Sequence, residues 1–463
     1  MESLIADVNG ARLPAALFVV LVYLVCCTWF LWGRGRARGK RAVSRDGAAG
    51  APAQTLLAYA SQTGFAEELA RRSARFLQDA GTPACAVALG ELSPAMLQQA
   101  SRALFVVSTT GEGDAPDSAA PFVRKLLGRP MPMPALPFAV LALGDRDYRN
   151  YCAFGHQLHR WLAHQGATPL SAPIEVDNGD EGALRQWQQQ LRSLARDPHR
   201  AAWEAPRFDA WRLVERRRLN PGSVGGACFH LALSPPAGTP AHWDAGDIAV
   251  IDPHNSTWND GTAQPHREYS IASLPQDGTL HLLVRQMFDA QGTPGLGSDW
   301  LTRRTQPGDV IALRIRVNSS FHAPPDDRPL ILIGNGTGIA GLRALLKARV
   351  LAGHRRNWLL FGERHAGRDD FYREDLQRWR DAGYIDPLDL VFSRDSPERR
   401  YVQHRLLECA SLLRRRVGQG AAIYVCGSQD GMAPGVDAAL TRILGAAALA
   451  DLREGGRYRH DVY

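Results

Sequence analysis

Apolar residues follow three patterns over four successive segments of this 463-residue chain. Residues 14–32 form an almost unbroken apolar run. Residues 54–195 and 327–463 contain short apolar runs, each followed by a helical or polar stretch, which predicts α/β domains with parallel strands. Between them, residues 208–326 contain short alternating segments with turn signals, which predict an antiparallel barrel. The pattern therefore predicts an α/β multidomain protein with one antiparallel β domain.

The apolar run Pro14–Trp32 predicts a transmembrane helix, because about nineteen residues at helical rise reach roughly 29 Å, close to the hydrocarbon thickness of a bilayer. Positive charge concentrates after it, at Arg34, Arg36, Arg38, Lys40 and Arg41. The positive-inside rule then predicts a single-pass protein of the cell inner membrane with cytoplasmic catalytic domains. A cleaved signal peptide is the alternative. Residues 33–53, rich in Gly, Ala and Arg, form the predicted linker.

Three polar loops follow predicted strands in residues 54–195. The first, Ser61–Phe65, opens a helix whose exposed N–H groups and dipole favour an anion, although such a turn is also an ordinary N-cap. The second is Thr109–Asp114, and the third is Gly144–Tyr148. Because open α/β sheets bind ligands at the carboxyl ends of their strands, the three loops predict one shared site.

A second group of motifs lies past the middle of the chain. Arg267–Ser273 offers a cation for a pyrophosphate, an aromatic ring for a flat ligand and a hydroxyl beside that ring. The glycine turn Gly295–Ser298 follows, and then Gly334–Gly341 after a predicted buried strand. Glycines let a backbone approach phosphate closely, and the helix that follows directs its N-terminus at the charge.

Composition narrows the classes of function. The length predicts three folded units, and 45% hydrophobic residues support sizeable cores. The net charge of +7 reflects either an arginine-rich proteome or steering toward an acidic partner or membrane surface. No basic cluster is interleaved with aromatics, so nucleic acid is not an expected partner. Seven scattered cysteines without a C-x-x-C pair argue against disulfides and against a metal site.

In this order, the motifs resemble those of the NADPH-dependent diflavin reductases, the family of the sulfite reductase flavoprotein alpha subunit and the NADPH–cytochrome reductases. The resemblance covers residues 54–463. It implies a flavodoxin-like, doubly wound FMN-binding domain at 54–195, an FAD-binding β-barrel at 208–326 and an α/β NADP-binding domain at 327–463. The family normally inserts a helical connecting domain before Arg267, and this chain lacks it, which changes the expected docking of the two flavins.

The resemblance implies a set of FMN-binding residues. The FMN phosphate would be held by Ser61, Gln62, Thr63, Gly64 and Phe65. One edge of the ring would be lined by Thr109, Thr110, Gly111, Glu112 and Gly113. The third loop supplies Gly144 and Asp145, and its Tyr148 would stack on the ring. Asp177 matches the last acidic loop near the flavin.

For FAD, the resemblance places Arg267 on the pyrophosphate, Tyr269 against the flavin and Ser270 at its N5 edge. The pyrophosphate turn would comprise Gly295, Leu296, Gly297 and Ser298. For the pyridine nucleotide, it implies a loop with Gly336, Thr337 and Gly338 and a 2′-phosphate pocket of Ser393, Arg394, Arg399, Tyr401 and Gln403. A hydroxyl with two guanidiniums suits a phosphate dianion, so NADPH is expected rather than NADH. Glu363, which a simple Rossmann interpretation would place on an NAD ribose, is discounted.

Four residues are predicted to surround hydride transfer: Ser270, Cys426, Asp461 and Tyr463. In the family, the cysteine lies near the nicotinamide C4, the acid assists transfer, and the terminal aromatic shields the flavin until nicotinamide displaces it. The family usually has proline where this chain has Asn335 and Gly341, which changes the expected stiffness of the nicotinamide loop.

The resemblance implies an enzyme that passes electrons from NADPH to FAD, then singly to FMN and to a one-electron acceptor. The acceptor is a haem protein, a sulfite reductase-type haem subunit or an iron chelate, and a membrane anchor would disfavour the soluble sulfite reductase complex. Two alternatives stay open. One is an NADPH dehydrogenase that has lost FMN and uses FAD alone, and the other is a flavin-binding membrane redox sensor without sustained turnover.

Overall fold

The computed structural model describes residues 54–463, except for residues 112, 134, 239–240 and 254–264. The predicted membrane helix at 14–32, the linker at 33–53 and Glu112 of the second flavin loop therefore lie outside the described residues. Three sheets make up the described part of the chain.

The first sheet is parallel, with the strand order β2-β1-β3-β4-β5 and β6 paired to β4. Its strands are β1 (Thr55–Ala60), β2 (Ala84–Ala88), β3 (Arg102–Ser108), β4 (Pro137–Gly144), β5 (Thr168–Pro169) and β6 (Ile174–Asp177). Its helices are α1 (Phe65–Asp79), α2 (Pro94–Gln99), α3 (Ala120–Lys125), α4 (Ala153–His164) and α5 (Glu181–Leu194). The central strands are buried apolar runs with a hydrophobic core on each face, as a parallel sheet covered by helices requires. The flavodoxin-like prediction is confirmed.

The second sheet is antiparallel, with the order β10-β9-β12-β7-β8-β11. Its strands are β7 (Asp209–Arg218), β8 (Cys228–Ser234), β9 (Ile248–Asp252), β10 (Arg267–Ser270), β11 (Leu280–Arg285) and β12 (Val310–Arg316), and the short helix α6 (Leu296–Asp299) follows β11. The backbone N–H of Ala272, just past β10, donates to the carbonyl of His281 in β11 at 2.8 Å, so the two ends of this path meet. That contact agrees with the predicted barrel.

The strand β9 ends at Asp252, and β10 begins at Arg267. The two strands are antiparallel neighbours, and Arg267 pairs with Ile251. This direct pairing agrees with the predicted absence of the connecting domain.

The third sheet is parallel, with the order β15-β14-β13-β16-β17. Its strands are β13 (Leu330–Asn335), β14 (Asn357–Glu363), β15 (Ile385–Phe392), β16 (Ala422–Gly427) and β17 (Tyr458–Val462). Its helices are α7 (Ile339–Leu351), α8 (Arg373–Asp381), α9 (Val402–Glu408), α10 (Ala410–Gly418), α11 (Met432–Leu444) and α12 (Ala446–Glu454). The predicted α/β nucleotide-binding fold is confirmed. The chain ends in β17, a regular edge strand of this sheet.

The described residues do not support a membrane-spanning helix. Crossing a bilayer takes about twenty apolar residues, whereas α1, with 15 residues, is the longest helix in the described part of the chain. No single helix there is long and apolar enough, and only the pair Met432–Leu444 and Ala446–Glu454, bent by 113°, passes on length and composition together. Both of those helices contribute side chains to the core of the third sheet.

Candidate flavin and nucleotide sites

The three loops of the first sheet lie together at the carboxyl ends of β1, β3 and β4, beside the end of β6. They line an open cavity of 2210 Å³. Its lining includes the predicted residues Gln62, Thr63, Phe65, Thr109, Thr110, Gly111, Gly144, Asp145, Tyr148 and Asp177. The opposite wall comes from the other two sheets, through residues such as Arg267, Glu268, His460 and Val462. The cavity therefore lies where all three parts of the chain meet.

The first loop has the features of an anion site. The buried Ser61 hydroxyl accepts a bond from the N–H of Ala66 at 3.2 Å and so caps α1. The N–H groups of Gln62, Thr63, Gly64 and Phe65 have no acceptor within the described residues. Free N–H groups at a helix N-terminus suit a phosphate, so the loop fits the phosphate of FMN.

Gly64 also explains how closely this loop meets the second sheet. Its φ of 82° lies in the left-handed region, and a Cβ there would overlap the carbonyl oxygen of Val317. Only glycine combines that backbone angle with that contact. Gly64, which is predicted to bind phosphate, is thus also required for the packing of this loop against Val317.

The second and third loops are held by local hydrogen bonds. The N–H of Thr110 donates to the carbonyl of Asp114 at 2.9 Å, which folds the second loop back across Gly111 and Gly113. The hydroxyl of Thr109 accepts from the N–H of Phe154 at 3.3 Å. Asp177 accepts from the N–H of Arg146 at 3.1 Å and so holds the third loop. This bond gives Asp177 a positioning contact that its sequence motif did not indicate.

Tyr148 reaches across to the third sheet. Its hydroxyl donates to the side-chain oxygen of Gln429 at 3.3 Å. Gln429 comes directly after the Cys426–Ser428 segment. The ring lines the cavity beside Asp145, consistent with the predicted stacking position. Gln429 carried no sequence motif and was not predicted.

Arg316, at the end of β12, was also not predicted, and it joins two predicted motifs. Its guanidinium is buried and donates to the carbonyl of Thr63 at 2.9 Å, in the first flavin loop. It also forms an ion pair with Glu268, the second residue of the R-E-Y-S motif. One side chain thus ties the FMN phosphate loop to the FAD motif, and nothing in the local sequence around Arg316 signals this.

The structure brings the FAD motif and the glycine turn together. A Cβ at Gly297 would lie 2.7 Å from the Cγ of Arg267, so only glycine leaves room for the arginine stem. The Ser298 hydroxyl accepts from the N–H of Met287 at 3.1 Å and donates to the carbonyl of Gly295 at 2.9 Å, which fixes the turn. The neighbouring Leu296 is exposed.

Two further observations fit an FAD. The buried side-chain nitrogen of Gln286, next to Met287, has no hydrogen-bond partner within the described residues. Tyr269 lies half-buried in β10, and burial raises its pKa to about 12. A neutral phenol with an unpartnered amide and a cationic arginine nearby suits a flat ring carrying a pyrophosphate.

Three of the four predicted reaction residues converge, although they come from two sheets. The Ser270 hydroxyl donates to the Oδ2 of Asp461 at 2.7 Å, and the thiol of Cys426 lies 3.6 Å from the same oxygen. All three are buried, and Gly341 forms the neighbouring wall, where an added Cβ would lie 3.4 Å from the Cys426 sulfur. The small residue at 341 keeps the cluster open on the side of the nucleotide loop.

The electrostatics of this cluster follow from its burial. Burial raises the pKa of the Asp461 carboxyl above its ordinary value, although the bond from Ser270 opposes this. Burial and the adjacent Asp461 raise the pKa of the Cys426 thiol well above its usual range. A protonated thiol is a poor nucleophile, so Cys426 is suited to packing and weak hydrogen bonding rather than covalent chemistry.

The C-terminal residue is tied to the nucleotide loop. The Tyr463 hydroxyl donates to the Oγ1 of Thr337 at 3.3 Å, and its ring is about half exposed. Its N–H donates to the carbonyl of Gly427 at 3.0 Å, so the terminus is ordered by backbone bonds. Gly336 and Gly338 flank Thr337 in a short helical turn that follows β13. The ring thus lies against the loop on which the nicotinamide is expected.

Asn335 has a role that the sequence did not indicate. Its side-chain oxygen accepts from the N–H of Ser428 at 2.9 Å. The bond ties the nucleotide loop to the turn that follows Cys426. Gly427 within that turn has a φ of 135° and no room for a Cβ beside Asn335. Asn335 therefore makes a stabilising hydrogen bond at a position where the diflavin reductases usually have a proline.

The predicted 2′-phosphate pocket lies at the end of β15. Ser393 is buried, whereas Arg394, Arg399 and Tyr401 are exposed. Within the described residues, neither Arg394 nor Arg399 pairs with a carboxylate, in contrast to Arg400, which pairs with Glu408.

The Oε1 atom of Gln403, the last residue predicted for this pocket, is buried and lacks a hydrogen-bond partner in the described part of the chain. The buried Ser393 hydroxyl and two guanidiniums without a carboxylate partner in the described residues fit a phosphate dianion, whereas the Gln403 oxygen is an acceptor and adds no donor. Glu363 is already engaged: it forms an ion pair with Arg285, and its second oxygen accepts from the N–H of Arg364 at 2.8 Å. These contacts agree with discounting Glu363 as a ribose ligand.

Comparisons with known proteins place these features in a family context. Residues 57–187 match a flavodoxin family model, and residues 332–438 match an oxidoreductase NAD-binding domain model. A sulfite reductase [NADPH] flavoprotein alpha-component of Thiocapsa roseopersicina is 31% identical over 440 residues, which covers 83% of each chain. Proteins of the same name from Bacillus subtilis and from Neisseria meningitidis are 27% and 26% identical, with 92% and 94% of each chain covered.

The alignments also bear on the missing insert. The match to the Bacillus subtilis protein extends over 559 positions, more than the 463 residues of this chain. That relative therefore contains residues with no counterpart here. This difference agrees with the predicted absence of the connecting domain.

These comparisons also correct the predicted location in the cell inner membrane, which is wrong. The relatives matched over most of their length are sulfite reductase flavoproteins. In the described ranges, no single helix has the length and apolar character that crossing a membrane requires.

Proposed function

Because the chain belongs to the diflavin reductase family and is an NADPH-dependent flavoprotein reductase, we propose that it delivers single electrons to a sulfite reductase-type haem protein. Its cofactors are FMN, FAD and NADPH. A membrane anchor was the reason to disfavour the soluble sulfite reductase complex. Because the predicted membrane location is wrong, that reason no longer applies. The names of the relatives favour this acceptor over an iron chelate.

The observation that carries the proposal is the position of the 2210 Å³ cavity. The FMN loops form one wall, while Arg267 and Glu268 of the FAD motif and His460 of the last strand form the other. When bound, the two flavins and NADPH supply the conversion of one hydride into two single electrons. A cavity shared by both flavin motifs supports a route that leaves through the FMN side.

The residues of the chain have separable tasks in this proposal. Arg394 and Arg399 would hold the 2′-phosphate, and Asn335 would keep the nicotinamide loop against the turn after Cys426. Asp461 and Ser270 would provide a buried polar contact where positive charge develops on the nicotinamide. Tyr463 would cover this place until the nucleotide arrives.

The decisive measurement is the flavin content of the purified full-length protein, followed by turnover. We expect equimolar FMN and FAD and NADPH-driven reduction of cytochrome c. Adding a purified sulfite reductase haem subunit should then give NADPH-dependent sulfite reduction. FAD alone, with dye reduction but little cytochrome reduction, would favour the FAD-only dehydrogenase. Bound flavins without turnover would favour a redox sensor.

The partner needs its own control. A variant with Tyr148 replaced by serine removes the ring predicted to stack on FMN and leaves the FAD and NADPH motifs intact. It should lose sulfite and cytochrome reduction but keep reduction of a dye. Full sulfite reduction by this variant would argue against an outlet through FMN.

A further inference from the structure

The last strand, β17, has two faces that serve different sites. Neighbouring residues of a strand point to opposite sides. Asp461 contacts Ser270 and Cys426, whereas His460 and Val462 line the cavity of the FMN loops. One strand is therefore a wall shared by the hydride-transfer cluster and the FMN cavity.

His460 makes a specific contact with the first sheet. Its Nδ1 atom lies 2.6 Å from the Oδ2 of Asp117, a residue 343 positions earlier in the chain. Both side chains are largely buried, with exposed fractions of 14% and 17%. Burial alone would raise the pKa of the Asp117 carboxyl, but the pairing with His460 outweighs it and the pKa lies below its ordinary value. The carboxylate is therefore charged and available to hold the imidazole.

Gln62 of the first flavin loop completes this contact. Its side-chain nitrogen donates to the backbone carbonyl of His460 at 2.6 Å, and its oxygen accepts from the N–H of Asp117 at 3.1 Å. The next residue, Ser118, holds Ser61 through bonds of 2.9 and 3.0 Å. The first flavin loop is thus hydrogen-bonded both to residues 117–118 of the first domain and to His460 of the last strand.

We propose that His460, Asp117 and Gln62 form a latch that holds the FMN phosphate loop against the C-terminal strand, which makes His460 a positioning residue for electron transfer between the two flavin sites. The proposal rests on the proposed function for its electron path. Each hydride brings two electrons and each cytochrome c accepts one, so two cytochromes are reduced per NADPH oxidised. The latch sets the distance over which those electrons pass and takes no part in the chemistry.

Other contacts hold the parts of the chain together without the latch. Arg314 pairs with Glu68 at 3.0 Å, and the Ser319 hydroxyl donates to Glu67 at 2.6 Å. Replacing His460 should therefore loosen the first flavin loop and leave the rest folded. A local effect of this kind is measurable by amide hydrogen exchange.

The test is amide exchange, followed by mass spectrometry, on full-length wild type, His460→Ala, Asp117→Ala and the double variant. We expect each single variant to speed exchange of residues 61–68 by about 5-fold, and the double variant to add little, because coupled residues are not additive. His460→Gln, which restores a donor, should recover part of the protection. The control is His156→Ala, which breaks a pair between α4 and Glu175 of β6, away from β17.

Turnover gives an independent readout. His460→Ala should lower cytochrome c reduction by about 5-fold or more while NADPH-driven ferricyanide reduction and the KM for NADPH stay unchanged. Unchanged exchange at 61–68, additive effects in the double variant, or an equal fall with both acceptors would each overturn the latch. A protein without FMN would instead refute the proposed function, and the exchange data would still test the latch.

Discussion

The Ser270 hydroxyl donates to the Asp461 carboxylate at 2.7 Å, which joins residues 191 positions apart in the chain. This contact puts β10 of the second sheet against β17 of the third, beside Cys426. It places a buried carboxylate where a nicotinamide is expected to become positively charged.

Replacing Asp461 with alanine should lower the rate of flavin reduction by NADPH by about 10²-fold, because a preorganised charge in a buried site is worth several kcal/mol to the transition state. Ser270→Ala should cost less, and the double variant should not be additive. Stopped-flow absorbance at the flavin band measures the step directly. The control is Asp381→Asn, which neutralises an exposed carboxylate of α8. An equal loss of flavin-reduction rate in that variant would show that the effect is not specific to Asp461.

The same carboxylate should shape the pH profile. Burial raises the pKa of Asp461, so it becomes protonated at a higher pH than an ordinary carboxyl. Flavin reduction should therefore slow as pH falls through that raised value, and Asp461→Asn should lack this acidic limb. Rate measurements between pH 4 and 8 provide the comparison. An identical limb in wild type and variant would assign it to another group.

Deleting Tyr463 should improve the use of NADH. The ring of Tyr463 lies on the nucleotide loop, where its hydroxyl bonds to Thr337. Once the ring is removed, binding energy from the 2′-phosphate is no longer needed to displace it from the nicotinamide position. We expect kcat/KM for NADH to rise about 10-fold, equivalent to about 1.4 kcal/mol. Tyr463→Phe keeps the ring and serves as the matched control. Unchanged NADH/NADPH selectivity in the truncated protein would contradict the role of the tail.

Arg394→Ala should raise the KM for NADPH far more than it changes kcat, because it removes a charge-assisted bond to the 2′-phosphate that is the same in ground and transition states. A rise of about 100-fold is expected, with NADH kinetics unaffected. Arg400→Ala is the control, since its guanidinium pairs with Glu408. A matching loss with NADH would place Arg394 elsewhere.

One buried and one partly buried histidine, His230 and His281, predict an acid-sensitive contact between the second and third sheets. Burial lowers the pKa of His230 and of His281 to about 4, and His230 bonds to the Tyr372 hydroxyl at 3.1 Å. The unfolded chain binds these protons near pH 6.5, so the stability is intact above that pH and is lost as pH falls toward 4. Each group contributes a slope of up to about 1.4 kcal/mol per pH unit.

Thermal midpoints at pH 7 and pH 5 test this. His281→Phe should reduce the fall in the thermal midpoint from pH 7 to pH 5, because it removes one of the protons taken up on unfolding. His164→Ala, at the exposed end of α4, is the comparison and should leave the fall unchanged. A wild-type midpoint independent of pH in this range would show that these histidines do not limit acid stability.

The loops of the first sheet could be predicted because their positions follow from a local rule. A buried apolar run such as Thr55–Ala60 becomes a parallel strand, and the polar residues after it must lie at the sheet edge. The glycine turn and the C-terminal tail were likewise found as short motifs. Their contacts were not, since Gly297 gives no sign in the sequence that it makes room for Arg267.

Sequence alone determined which sheets form and in which order, because strand burial and turn chemistry are set by neighbouring residues. It also predicted which loops bind phosphate and nicotinamide. Only the tertiary structure decided which distant residues meet. Arg316 reaches Thr63 and Glu268, Asn335 clasps Ser428, and His460 meets Asp117. Such pairs depend on how three sheets pack, and the pattern of any one segment contains no information about the surface it will face.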